Sequence, residues 1–139
     1  MTPSAERQLA RLKDRYQQRA NELAQVGFML RGSLTERFLP CGTPGCRCHT
    51  DSAHLHGPYW QWSQRHEGKT QSRFLRGEQL RRHQEWLNNG RRFDKIVSEM
   101  IEISTQADAI LVQEERKSNA EAPTARKKQT PRRRPLKRA

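Results

Sequence analysis

Three cysteines fall within eight residues of one another in the run CGTPGCRCHTDSAHLHGPYW, and the chain has no others. They are Cys41, Cys46 and Cys48, followed by His49, His54 and His56. Thiolates bind zinc readily, and Gly42, Pro44 and Gly45 bend the backbone between the first two. Zinc prefers a tetrahedral shell of sulfur and nitrogen, and three Cys with one His is among its usual structural sets. The spacing therefore predicts a metal knot of Cys41, Cys46, Cys48 and His56, with zinc in a structural role. His56 is favoured as the fourth ligand because Gly57-Pro58 follows it and starts a strand. His49 adjoins a ligand, which makes joint tetrahedral binding awkward, and His54 stays open as the reserve.

Composition explains why such a knot matters. Only 32% of the 139 residues are hydrophobic and 30% are charged, so one domain with a small core is expected. Small cores need a staple, and metal is one of the few available. An odd cysteine count argues against a disulfide framework. The first residues contain no apolar run of signal-peptide type, and no segment has the length and apolarity of a membrane span. A reducing cytoplasm, where thiols stay free for metal, is the expected location, with no membrane partner.

The net charge of +12 is unevenly distributed. Residues 117–139 carry nine Lys or Arg against one acid, Glu121. Residues 65–95 carry nine basic and four acidic side chains, whereas 96–116 carry one and five. Both basic features suit a polyanion, with DNA favoured over RNA. The candidate contacts are Arg65, Lys69, Arg73, Arg76, Arg81, Arg82, Arg91 and Arg92, together with Arg132, Arg133 and Arg134 in the tail. A solvated tail that only aids solubility is the plainer use of the same charge.

Periodicity predicts an α+β fold. Leu9, Leu12, Tyr16, Leu23, Val26 and Leu30 mark a helix over 5–30, with Ser4 as N-cap and Gly32 as stop. Arg7, Arg11, Arg15 and Arg19 give that helix a basic ridge. Leu34 to Phe38, Tyr59 to Gln64 and Thr70 to Leu75 read as three short strands, the last two joined by a tight turn at Glu67-Gly68. Trp60 and Trp62 are expected in the core against Trp86, with Tyr59, Gln61, Ser63 and Arg73 on the other face. From Glu78 to Arg116, Trp86, Phe93, Met100 and Ala107 recur every seven residues, and Ile96, Ile103 and Ile110 follow three after the last three of these. That heptad seam predicts helix-on-helix packing, either as a hairpin with the first helix or as a homodimeric coiled coil. Asn88-Asn89-Gly90 is a candidate interruption. The expected organisation is a helix–sheet–helix domain over 1–116 and a disordered basic tail over 117–139.

Catalysis finds little support. A thiol nucleophile needs a base and an orienting acid, and only Asp51 lies near the histidines. A deaminase-type zinc site needs a Glu two residues from a ligand, as in H-x-E, and His66-Glu67 has the wrong spacing. A phosphate-binding glycine loop and an acidic magnesium triad are also missing. The expected function is a zinc-stabilised, non-catalytic DNA-binding protein. A protein-interaction adaptor that docks through its helical hairpin is the alternative.

With those residues in view, the chain resembles a family of small bacterial proteins known as a domain of unknown function and often encountered with mobile elements. The resemblance rests on Gly32-Ser33-Leu34, Cys41-Gly42, Pro44-Gly45-Cys46-Arg47-Cys48, His56-Gly57-Pro58-Tyr59-Trp60, Gly68-Lys69-Thr70 and Trp86, within about residues 28–105. It implies Cys41, Cys46, Cys48 and His56 as a set and an accessory role in transposition or recombination, and it adds no activity. His49, His54, Gly77 and the long Arg/Lys tail depart from the family pattern.

Overall fold

The computed structural model describes residues 1–121. Helix α1 (Pro3–Ala24) leads into strand β1 (Ser33–Leu39). A loop with two short 3-10 turns follows, then strands β2 (His56–His66) and β3 (Lys69–Leu75), and finally helix α2 (Glu78–Glu121). The strands form one antiparallel meander in the order β1-β2-β3. The two helices pair as an antiparallel hairpin, so the expected α+β architecture is the observed one.

Several expected boundaries move, each for a physical reason. Thr2, not Ser4, caps α1, its hydroxyl accepting from the Ala5 N–H at 3.3 Å. Pro3 at the first helical position needs no donor partner there. The helix ends at Ala24 instead of running to Leu30. Residues 25–32 instead strap across α2: the Leu30 N–H donates to the Trp86 carbonyl at 3.0 Å, and the Asn89 side-chain amide donates to the Phe28 carbonyl at 2.8 Å. Gly32 lies in this strap and stops no helix. Asn88-Asn89-Gly90 does not interrupt α2, which is continuous. Gly90 packs against the Leu30 carbonyl, where a Cβ would collide with the oxygen. At its far end α2 runs on through Lys117 to Glu121, residues expected to belong to the tail. The remainder of that expected disordered tail, with Arg132, Arg133 and Arg134, lies outside the described residues.

The core sits where the sheet meets the start of α2. Trp62, Leu75 and Leu87 are buried together, with Leu30, Leu34 and Leu80 packed around them. The Glu67-Gly68 turn has positive φ at both residues, matching the right-handed twist of a two-residue hairpin. Counting back from it pairs Trp62 with Arg73 and Gln61 with Phe74. Arg73 therefore shares the face of Trp62, contrary to the outward placement expected. Its guanidinium lies 5.3 Å from the Trp62 ring and 3.0 Å from Nε2 of the buried His83. Trp60 is only half-buried, and the Trp86 ring packs on Phe28 at 5.1 Å. Along the hairpin, Ala5, Leu12, Ile96 and Ile103 are buried.

Ion pairs tie the two helices and the strap together. Arg19 reaches Glu99 at 3.2 Å, and Arg31 holds Asp94 through two bonds of 2.7 and 2.8 Å. At the open end the Thr2 N–H donates to Glu114 at 2.9 Å. That bond, with help from Lys117, holds the Glu114 carboxyl below its ordinary value of 4.5. A carboxyl depressed in the folded state stabilises the fold above its unfolded value and loses that effect as the pH falls through the folded value. Glu114→Gln should therefore lower the melting temperature at neutral pH, and the gap from wild type should close as the pH is taken well below 4.5. A gap that stays constant in acid would show that Glu114 acts by packing alone.

Candidate metal centre

The four expected ligands converge. Pro40 ends β1 and delivers Cys41, and the Cys46 N–H donates back to the Thr43 carbonyl at 3.4 Å, closing the Thr43-Pro44-Gly45-Cys46 turn. A 3-10 turn over Arg47–His49 then directs Cys48 inward, where it is only 5% exposed. His56 arrives from the first position of β2, opposite Leu39 of β1. Gly57 follows it with φ +140°, and a Cβ there would meet the Arg37 carbonyl at 2.7 Å, so only glycine lets the strand close up behind the ligand.

The ligand atoms all lie within 4.8 Å of one another. Cys41 and Cys48 Sγ are 3.5 Å apart, and Cys46 Sγ is 3.5 Å from His56 Nε2. Sulfurs bound tetrahedrally to a single zinc at 2.3 Å stand about 3.8 Å apart, so the cluster is close to the size an ion requires. Both chemistry and geometry fit, and these four residues could hold a metal ion.

The electrostatics point the same way. The Thr43 backbone N–H, then Cys48, lower the Cys41 thiol to about 6. The Cys48 backbone N–H and His56 lower Cys46. At Cys48 the Cys41 backbone N–H also favours the thiolate, but burial and the adjacent Cys46 and Cys41 thiols outweigh it and push the group up. His56 is raised by Cys46 first and Cys41 second. Such a cluster binds a cation by exchanging its protons for it.

The rival histidines are engaged elsewhere. His49 Nε2 donates to the Thr43 carbonyl at 3.1 Å, bracing the turn, and His54 lies 3.4 Å from Asp51. Asp51 also caps the second 3-10 turn by accepting from the Ala53 N–H at 2.9 Å. Of the three histidines, His56 is the one whose ring nitrogen lies with the three thiols.

The basic candidates do not form a single patch. Arg65 points from β2 to the open face of the sheet, while Lys69 and Arg73 share the opposite face by register. Arg76 sits in the connection to α2. Arg81 pairs with Glu78 at 2.8 Å, Arg82 lies over the Trp86 ring at 5.6 Å, and Arg91 bonds Asn88 at 3.1 Å. Arg92 is exposed further along α2. Two residues not among the sequence candidates share the face of Arg65: Arg37, which pairs with Tyr59 across β1 and β2, and Phe74, whose outward face follows from the turn.

A three-stranded sheet flanked by a helical hairpin, with a Cys3His set on the β1–β2 connection that could hold a metal ion, defines a small α+β domain. The chain belongs to the family described as "Domain of unknown function (DUF6788)", which matches residues 6–85. That match takes in nearly all of α1, the whole sheet and the first turns of α2. No curated protein and no solved structure matches the chain. Among the described residues, no helix is long and apolar enough to cross a membrane.

Proposed function

We propose that the chain is a zinc-stabilised DNA-binding protein that serves transposition or recombination as an accessory or regulator. The observation that carries this reading is the open face of the sheet. Its outward positions are Ser33, Thr35, Arg37, Tyr59, Gln61, Ser63, Arg65, Thr70, Ser72 and Phe74, and none is acidic. A surface with cations and no carboxylate attracts phosphates without local repulsion. Residues 122–139 add eight Lys or Arg and no acid to that attraction.

Zinc is the metal of this reading, because three thiolates and an imidazole suit its borderline-soft character and fill a tetrahedral shell. A filled shell leaves no position for a catalytic water, which supports a role without catalysis. The reading expects a reducing cytoplasm, where the thiols remain available for the ion. The adaptor alternative draws support from Ile101, a large apolar side chain 61% exposed on α2, which a partner or a second copy could cover.

Comparing residues 1–121 with the full chain across a salt series tests the choice. The truncated protein should still bind DNA, with a slope of log affinity against log salt reporting several contacts at about 0.9 each. Binding that vanishes with residues 122–139 would leave only generic charge and favour the adaptor.

A further inference from the structure

We infer that the open face of the sheet binds single-stranded DNA by stacking unpaired bases on Tyr59 and Phe74. The inference rests on the nucleic-acid reading above and names its substrate. Tyr59 and Phe74 are diagonal neighbours on β2 and β3, with centroids 6.4 Å apart and rings 75° to one another. They are 45% and 52% exposed. An edge-on pair covers one ring face at most and leaves the others available.

The groups around them suit a strand of nucleotides. Arg37 stands directly across from Tyr59, and its Nη1 donates to Gln61 at 2.9 Å, with no second side-chain bond to Arg37 among the described residues. Arg65 lies further along the same face. Rings at the centre with cations beside them form the stacking platform and charged track that single-strand binders share. A duplex hides the base faces, and the Phe74 ring cannot hydrogen-bond to the base edges exposed in its grooves. The Ser63 and Ser72 hydroxyls are engaged with one another at 2.8 Å, and Gln61 Oε1 is held by Arg37. The centre of the face therefore has few free groups to select a ribose 2′-hydroxyl, and deoxyribose suffices.

The ordinary role of such a pair is to stabilise the β2–β3 hairpin. Leucine substitutions separate the two roles, since they keep apolar surface and remove the π face. Using the zinc-loaded full chain, fluorescence anisotropy would follow binding of oligothymidylate, the matched duplex and oligouridylate. Tyr59→Leu and Phe74→Leu should each weaken the single strand by about 5- to 150-fold, the range for one lost stacked base. Tyr59→Phe should retain wild-type affinity. The salt slope should not move, because no phosphate contact is lost. Leucine variants that bind oligothymidylate as wild type does, a duplex held more tightly than the single strand, or oligouridylate held more tightly than oligothymidylate would each overturn the inference while leaving nucleic-acid binding intact. A full chain that binds none of the three would sink the DNA-binding reading along with it.

Discussion

Stripping the metal with a strong chelator is expected to unfold the sheet, not merely to loosen a loop. Among the described residues, no large side chain is completely buried, and the hydrophobic set comprises Ala5, Leu12, Cys48, Trp62, Leu75, Leu87, Ile96 and Ile103. Cys48 is both a member of that set and one of the four residues that could hold the ion. Structural zinc supplies about 10–16 kcal/mol of apparent binding free energy. The whole stability of an ordinary domain is about 5–15 kcal/mol. With so thin a core, losing the larger quantity leaves β1 and β2 without the clamp that joins their ends. Circular dichroism and thermal melting before and after chelation, with metal content measured in parallel, should show strand signal and melting temperature falling together. Cys41→Ser, Cys46→Ser, Cys48→Ser and His56→Ala should reproduce the loss. His49→Ala should cost about 1 kcal/mol, the net worth of one hydrogen bond. His54→Ala, which loses only an exposed contact with Asp51, should cost about 0–1 kcal/mol. Unchanged spectra and melting after verified metal removal would end the structural-zinc reading.

The contrast among the histidines shows what the sequence made legible. The three cysteines could be read directly, because ligand chemistry and a Gly-Thr-Pro-Gly turn are both local properties of residues 41–48. The fourth ligand depends on register, because His56 joins the thiols only when β2 pairs with β1 through Arg37–Tyr59 and Leu39–His56. Alternation correctly placed Trp62 inside. It misplaced Arg73 because the facing strand was read by itself; the Glu67-Gly68 turn already pairs Trp62 with Arg73. Val26 and Leu30 continued a helical period by chance, and tertiary hydrogen bonds to α2 prevailed over it. The heptad seam was legible in Ile96 and Ile103, both buried, because helix-on-helix contact repeats at the period of the helix itself.

Gly90→Ala is expected to destabilise the protein, against the usual direction for a helix interior. In an exposed helix the change stabilises by roughly 1 kcal/mol, because alanine limits the unfolded backbone more than glycine does. At position 90 the added methyl would strike the Leu30 carbonyl oxygen, a backbone atom that cannot rotate aside. The strap over 25–32 must then lift from α2. That breaks the Leu30-to-Trp86 and Asn89-to-Phe28 hydrogen bonds and draws Leu30 away from Trp62, Leu75 and Leu87. Two hydrogen bonds at about 1 kcal/mol each, with part of a leucine's 1.5–3 kcal/mol of burial, outweigh the propensity gain by roughly 2–3 kcal/mol. For a domain of this size the melting temperature should fall by about 10 °C or more. Gly42→Ala supplies the control, since a Cβ there meets nothing within 4 Å and should leave the melting temperature nearly unchanged. If Gly90→Ala melts at or above the wild-type temperature, the strap does not lie against the helix and propensity alone governs position 90.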